Sequence, residues 1–275
     1  MDTMLQAVLI GIVQGLTEFL PVSSSAHLIL VPRLLGWDDP FLNSAAFDVM
    51  LHVGTLIALV GYFARDLVRL LRAFVASLLE RSLANDPERR LAWLLLVSVV
   101  PAAALGATLE SFFDTYFRER LALVAVLLLV GASILWLAER QGRRERGLLQ
   151  MRLRDAVVIG AAQALALFPG VSRSGITIAA GLFLGLERAA AARFAFLMGV
   201  PVIAGAGLWK AREVIGMPGF ADEPAILLGG MLAAAISGVL AIGLLLRLLR
   251  SHSTGLFIAY RVVFAAFVFA RLLAT

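Results

Sequence analysis

Apolar runs dominate the chain, and short polar segments separate them. Six runs, at about 44–64, 91–109, 120–139, 189–209, 224–247 and 255–273, are each long enough to cross a bilayer as a helix, since about 20 helical residues span the hydrocarbon. Two further regions are apolar but broken. Residues 4–35 contain Pro21 and the run Ser23-Ser24-Ser25, and residues 153–186 contain Pro169-Gly170 and Ser172-Arg173-Ser174. Each half of these regions is too short to span, so each region reads as a re-entrant hairpin of two short helices. Over 66–81, Leu67, Leu70, Leu71, Phe74, Leu78 and Leu79 recur at helical spacing, with Arg69, Arg72 and Arg81 elsewhere. That pattern predicts an amphipathic helix lying in the membrane interface.

The broken regions repeat each other. Gly11, Gln14, Leu16, Phe19, Val22, Ser23 and Ser25 match Gly160, Gln163, Leu165, Phe168, Val171, Ser172 and Ser174 at a constant offset of 149 residues. A weaker match follows, Ala45-Ala46 and Leu51 against Ala191-Ala192 and Leu197. The expected fold is an all-α polytopic membrane protein, one integral membrane domain over 1–275. It contains two repeats, 1–139 and 152–275, each a hairpin plus three transmembrane helices. Three spans per repeat is an odd number, so the second copy is inverted in the membrane.

Charge orients this plan. The 65–90 loop carries Arg65, Arg69, Arg72, Arg81, Arg89 and Arg90. The 140–154 loop carries Arg140, Arg143, Arg144, Arg146, Arg152 and Arg154, and the 247–254 loop carries Arg247 and Arg250. The intervening loops hold only Arg118 and Arg120, or Lys210 and Arg212. Basic loops alternate as six spans require and are read as cytoplasmic. Both termini then lie outside, and the first hairpin enters from outside, the second from the cytoplasm.

Composition agrees. The chain is 61% hydrophobic with a mean hydropathy of +0.92, more apolar than a soluble domain. Its net charge of +5 sits in short loops between spans, so it does not point to nucleic acid. There is no cysteine, which excludes disulfides, thiolate nucleophiles and cysteine metal sites. Met1-Asp2-Thr3 lacks the basic region of a signal peptide and Glu18 interrupts the first apolar stretch, so this stretch reads as mature structure.

The chemistry gathers at the two hairpin tips. Gln14 and Glu18 are four apart and share a helix face. Pro21 ends that helix, and the next begins at Ser23 or Ser24, offering hydroxyls, free N–H groups and a positive dipole end to an anion. His27, three residues after Ser24, can bring its imidazole near that hydroxyl. The second tip opens with Ser172, Arg173 and Ser174 after Pro169-Gly170, and Arg173 adds a planar fork suited to phosphate. Two such helix starts form a site for a phosphate or diphosphate, and Glu18 and His27 add acid–base capacity. Plainer readings exist. A serine after proline often only caps a helix, and Glu18 can be a structural carboxylate paired with Arg173. Ionisable groups at membrane depth nevertheless default to function. Asp48 is assigned a supporting role, and His52 carries less weight. Arg193 and Arg261 lie near cytoplasmic span ends, where snorkelling explains them. The aromatic residues read as lipid-facing or core.

The stretch Glu18-Phe19-Leu20-Pro21-Val22-Ser23-Ser24-Ser25-Ala26-His27 resembles the first signature of the bacterial undecaprenyl-diphosphate phosphatases, the bacitracin-resistance family. Pro169-Gly170-Val171-Ser172-Arg173-Ser174-Gly175 resembles their second. Length and span pattern agree across the whole chain. The resemblance implies hydrolysis of undecaprenyl diphosphate to undecaprenyl phosphate and inorganic phosphate. This recycles the lipid carrier of peptidoglycan synthesis and confers bacitracin resistance. It implies a polytopic protein of the bacterial cytoplasmic (inner) membrane with a site facing the periplasm and a divalent cation, Mg²⁺ or Ca²⁺. Glu18, Ser24, His27 and Arg173 take the family's catalytic positions. Ser23, Ser25, Gly170, Ser172 and Ser174 are expected to bind the polyprenyl diphosphate, and Glu18 with Gln14 to hold the metal, although Gln14 stands where many members have glutamate. Whether Ser24, His27 or water attacks phosphorus stays open, and the sequence leaves room for a homodimer. The alternative is a secondary transporter or polyprenyl-phosphate flippase built on the same inverted-repeat site.

Overall fold

The computed structural model describes residues 2–214 and 223–274; at 45, 110–111, 114–115 and 211–214 it describes the backbone alone. The described residues form eleven α-helices, short 3₁₀ turns and no strand. They run α1 (Thr3–Phe19), α2 (Ser24–Leu35), α3 (Ala45–Tyr62), α4 (Ala64–Leu79), α5 (Pro87–Arg118), α6 (Leu121–Gln141), α7 (Leu153–Gln163), α8 (Arg173–Phe183), α9 (Arg188–Val214), α10 (Pro224–Leu248) and α11 (Gly255–Leu273). Five helices are singly long and apolar enough to cross a membrane: α5 over Pro87–Leu109, α6, α9 over Arg188–Lys210, α10 and α11. The apolar α3 qualifies jointly with α4, from which it is bent by 77°. The chain is a multi-pass membrane protein.

Both broken regions are helical hairpins. In the first, α1 and α2 meet at residues 20–23. In the second, α7 passes through a 3₁₀ turn (Ala164–Leu167) before residues 168–172 lead into α8. The helix boundaries have local causes. Asp2 caps α1 by accepting from Met4 N at 3.3 Å, Ser44 caps α3 by accepting from Phe47 N at 3.2 Å, and Pro87 opens α5 where its missing N–H costs nothing. Gly36 closes α2 in the left-handed conformation.

Helices exchange partners between the two halves of the chain. α1 and α3 pack on α10, while α7 and α9 pack on α5; α2 touches α11 and α8 lies on α6. Two close approaches use glycines at matching positions. A Cβ on Gly11 would run into the Gly230 carbonyl of α10, and one on Gly160 into the Ser98 carbonyl of α5.

The basic loops gather on one face. Arg90 Nη2 donates to Leu149 O at 2.8 Å, tying the segment before α5 to the 140–154 loop. Arg146 joins that loop to Asp155 (2.5 Å) and to Leu184 O (3.0 Å). Glu139 accepts from Arg144 (2.8 Å), from Arg188, and from Thr254 N (3.2 Å) and Oγ1 (2.9 Å), which brings the α10–α11 connection to the same face. On the opposite face Arg118 reaches Asn43 O at 3.3 Å and pairs with Asp48. Lys210 lies within α9 instead of a loop, and the side chain of Arg212 lies outside the described residues.

Arg261 departs from the sequence expectation. It does not snorkel: it is completely buried, and its guanidinium donates to the carbonyls of Pro21, Gly170 and Val171. Arg193 is half-exposed and pairs with Asp66 at 2.6 Å.

Candidate functional site

The two hairpin tips meet inside the protein and share one backbone solution. Ser23 and Ser172, the N-caps of α2 and α8, both take positive φ, +77° and +75°. That region is costly for a residue with a side chain. Each serine Oγ then accepts from the amide three residues on, Ala26 N at 3.4 Å and Gly175 N at 3.1 Å. Each also lies 3.2 Å from the hydroxyl two residues on, Ser25 or Ser174.

Cross-links fix the tips to each other. Gly170 N donates to Ser23 Oγ at 3.1 Å, and Ser174 Oγ donates to Leu20 O at 3.1 Å. Gly170 has φ +112° and is pressed against α6, where a Cβ would lie 2.7 Å from Val124 O. Arg261, from α11, donates to Gly170 O (2.6 Å), Val171 O (3.0 Å) and Pro21 O (3.4 Å), and to Leu128 O in α6 (3.1 Å). Irregular backbone at membrane depth leaves carbonyls without helical partners, and this one side chain satisfies carbonyls from both tips.

Glu18 is the centre of the polar cluster. It is 6% exposed. Its Oε2 accepts from Ser24 Oγ at 2.6 Å and from Gln14 Nε2 at 3.1 Å, and its Oε1 accepts from Arg173 Nη2 at 3.0 Å. His52 Nε2, from α3, lies 3.8 Å from Oε2, while its Nδ1 donates to Asp48 O at 2.7 Å. Arg173 uses Nη2 on Glu18; its buried Nε and Nη1 have no protein partner. A glycine at 199 makes room for it, since a Cβ there would overlap Arg173 Nη1.

These groups front a cavity of about 500 Å³. Its polar wall is Glu18, Ser23, Ser24, Ser25, Asp48, His52, Arg118, Gln163, Ser172, Arg173 and Lys210; its apolar wall includes Leu28, Ile29, Val99, Ala102, Ala103, Phe113, Leu167, Val202, Ile203 and Trp209. A polar end beside an extended apolar wall suits an amphipathic anion. A serine hydroxyl donating to a buried carboxylate, beside an arginine with spare donors, suits transfer of a phosphoryl group.

The geometry sorts the residues expected from sequence. Glu18, Ser24 and Arg173 come together on the cavity wall, and Ser23, Ser25, Ser172 and Asp48 join them. His27 does not. Its Nδ1 donates to Ser23 O at 2.7 Å, so its Nε2 is left to accept from Tyr260 OH, also at 2.7 Å. The ring stacks on Phe264 with centroids 4.5 Å apart. His27 is buried, off the cavity wall, with both nitrogens occupied; the imidazole beside the carboxylate belongs to His52. Gln14 stands behind Glu18, off the wall, and Ser174 and Gly170 tie the tips together. Arg261 and Gln163 escaped the sequence reading as site residues. A charge inside an apolar run was the available signal for Arg261, and the repeat match to Gln14 was the signal for Gln163.

Among the described residues no three His, Asp or Glu side chains cluster as a metal cage. Glu18 is the carboxylate at the tips. Mg²⁺ commonly takes one or two carboxylates together with substrate phosphates and water, so Glu18 fits a cation that arrives with a diphosphate.

Comparison with known proteins agrees with this chemistry. A family model described as "Bacitracin resistance protein BacA" matches residues 7–267. A protein of Geobacter sulfurreducens is 49% identical over 276 residues, covering 100% of both chains. Another of Thermomicrobium roseum is 48% identical over 265 residues, 94% of each chain. A third, of Moorella thermoacetica, is 47% identical over 268 residues, covering 98% of this chain and 97% of the relative. All three bear the name undecaprenyl-diphosphatase.

Proposed function

Because the chain belongs to the bacitracin resistance protein BacA family, we propose that it hydrolyses undecaprenyl diphosphate to undecaprenyl phosphate and inorganic phosphate. The observation that carries this reading is the 2.6 Å hydrogen bond from Ser24 Oγ to Glu18, with Arg173 on the other carboxylate oxygen and its unused donors beside the same cavity. Ser24 Oγ attacks the terminal phosphorus and gives its proton to Glu18. The bond from that phosphorus to the bridging oxygen breaks, and undecaprenyl phosphate leaves. Glu18 passes that proton to the departing undecaprenyl phosphate; water then attacks the phosphoserine, giving one proton by way of Glu18 to Ser24 Oγ as the P–Oγ bond breaks, which releases phosphate and restores Ser24 and Glu18. Arg173 and the N-termini of α2 and α8 neutralise charge on the transferring group, the main task in phosphoryl transfer. His52 and Glu18 form a charge pair when the imidazole is protonated. A divalent cation held by Glu18 would add charge neutralisation at the diphosphate.

The lipid tail lies along the apolar wall between spans. The two halves form inverted repeats, a reading supported by the exchange of packing partners and the matched tips. The Arg-rich face is cytoplasmic and the cavity opens on the Asp48–Arg118 side, toward the periplasm; α4 lies in the cytoplasmic interface. In a bacterial cytoplasmic membrane this activity returns the carrier lipid to peptidoglycan synthesis.

The test is phosphate release by purified protein in detergent. Wild type should release phosphate from undecaprenyl diphosphate, and Ser24→Ala, Glu18→Ala and Arg173→Ala should each abolish release. A flippase or transporter would release none, and near-normal release by all three variants would overturn the site. Trapping phosphate on Ser24 would identify the nucleophile directly.

A further inference from the structure

We infer that Gln163 is a phosphate-binding residue of this site, its side-chain amide donating beside Arg173 to the phosphate of the bound ligand. The inference rests on the proposed phosphatase reading and assigns a residue that this reading does not use.

Gln163 is the last residue of α7 and is 3% exposed, yet neither its Nε2 nor its Oε1 has a protein partner. Gln163 lines the same cavity as Arg173 and Glu18. A buried amide without hydrogen bonds costs a folded protein on the order of 1–3 kcal/mol, so its retention on a cavity wall calls for a partner inside the cavity. The repeat explains how the amide became unpaired. Its counterpart Gln14 donates Nε2 to Glu18 at 3.1 Å. In the second copy Leu167 stands where Glu18 would, and the chain there leaves the α-helix for a 3₁₀ turn. Gln163 therefore has no carboxylate partner and stands with an unpaired amide on the cavity lining.

The donor set defines the ligand. Arg173 Nε and Nη1 are buried and unpartnered. With the two N–H groups of Gln163 they give the cavity five unused N–H donors on the second tip. Phosphate oxygens accept at every position, so they suit such a wall. The Gln163 Oε1 remains free for a water or a P–OH.

Three measurements on Gln163→Leu and Gln163→Glu test this: kcat/KM for undecaprenyl diphosphate, the inhibition constant for inorganic phosphate, and the melting temperature in detergent. Leucine removes the donors at similar volume. It should lower kcat/KM and weaken phosphate inhibition by about tenfold or more, as expected for a hydrogen bond to a charged group. The melting temperature should stay level or rise, because a buried amide with no protein partner is gone. Glutamate keeps the shape but adds negative charge, and should weaken phosphate inhibition further than leucine. Unchanged phosphate inhibition in both variants would overturn the inference. So would a melting temperature that falls in parallel with activity, the mark of a packing residue. If the leucine variant fails to fold, the nearly isosteric glutamate variant decides by the same criteria. A wild-type protein that binds inorganic phosphate but releases none from the lipid would contradict the phosphatase reading, and Gln163 would still be judged by its effect on phosphate binding.

Discussion

Replacing Arg261 with methionine tests how the site is held. Methionine keeps an unbranched chain but removes all four hydrogen bonds. Leu128 O lies inside α6 and keeps its helical partner. The carbonyls of Pro21, Gly170 and Val171 lose the guanidinium. Stranding a buried acceptor costs about 1–3 kcal/mol each, so the three together cost roughly 3–9 kcal/mol. Removing a buried charge returns several kcal/mol of desolvation, which offsets part of this loss. The variant should therefore be destabilised by a few kcal/mol while remaining foldable. The larger effect should be on activity, because Arg261 bonds carbonyls from both tips, and the tips carry Glu18, Ser24 and Arg173. A misplacement of about 1 Å at a reacting centre costs on the order of 100-fold in rate. Purified Arg261→Met should show about that loss in kcat/KM, with a lower melting temperature in detergent; Arg261→Lys should recover part of both, as it restores some donors without the fork. A methionine variant with kcat/KM within about twofold of wild type would refute the reasoning, since an error of 1 Å cannot be that cheap.

Further outcomes follow from the same geometry. Gly199→Ala places a Cβ on Arg173 Nη1 and should lower kcat/KM by about 100-fold through misplacement of that guanidinium, with little change in thermal stability. Tyr260→Phe leaves His27 Nε2 without its partner and should cost about 1 kcal/mol of stability while kcat stays near wild type; a collapse of kcat at unchanged stability would return His27 to the chemistry. Chelation of divalent cations should depress phosphate release, and Mg²⁺ or Ca²⁺ should restore it; full activity in excess chelator would mean that Glu18 works without a cation.

Sequence and structure part company at particular side chains. The hairpins were legible because proline and consecutive serines interrupt apolar runs, and the tips because the interruptions recur at one offset. The meeting of Glu18 and Ser24 was legible because short-range spacing sets which groups share a tip. The direction of His27 was not, since helical spacing gives an azimuth on α2 but does not say which azimuth faces the cavity. Packing against Tyr260 and Phe264 of α11 turns the ring away. His52 reaches Glu18 from a different helix, and no local pattern encodes that meeting. Arg261 was misread because its depth in the span is compatible with snorkelling; its direction is set by tip carbonyls that exist only once both hairpins are folded.

The asymmetry between the tips can itself be put to the test. The two hairpins share capping serines at positive φ and close-packed glycines, so the scaffold alone does not explain why only one tip carries a carboxylate. Charge does. The ligand is an anion, and a carboxylate on each tip would oppose it twice. Leu167 occupies the position equivalent to Glu18 and lies on the cavity wall. Leu167→Glu therefore adds to the second tip the carboxylate that it lacks. At separations near 4 Å and an effective dielectric of about 20, each close charge contact is worth about 4 kcal/mol. The new carboxylate would compete with phosphate for Arg173 and repel the diphosphate directly. The expected result is a large rise in KM and weaker inhibition by inorganic phosphate, with Ser24 and Glu18 untouched. If the variant binds phosphate as well as wild type, the division into one reactive tip and one anion-holding tip does not govern the site.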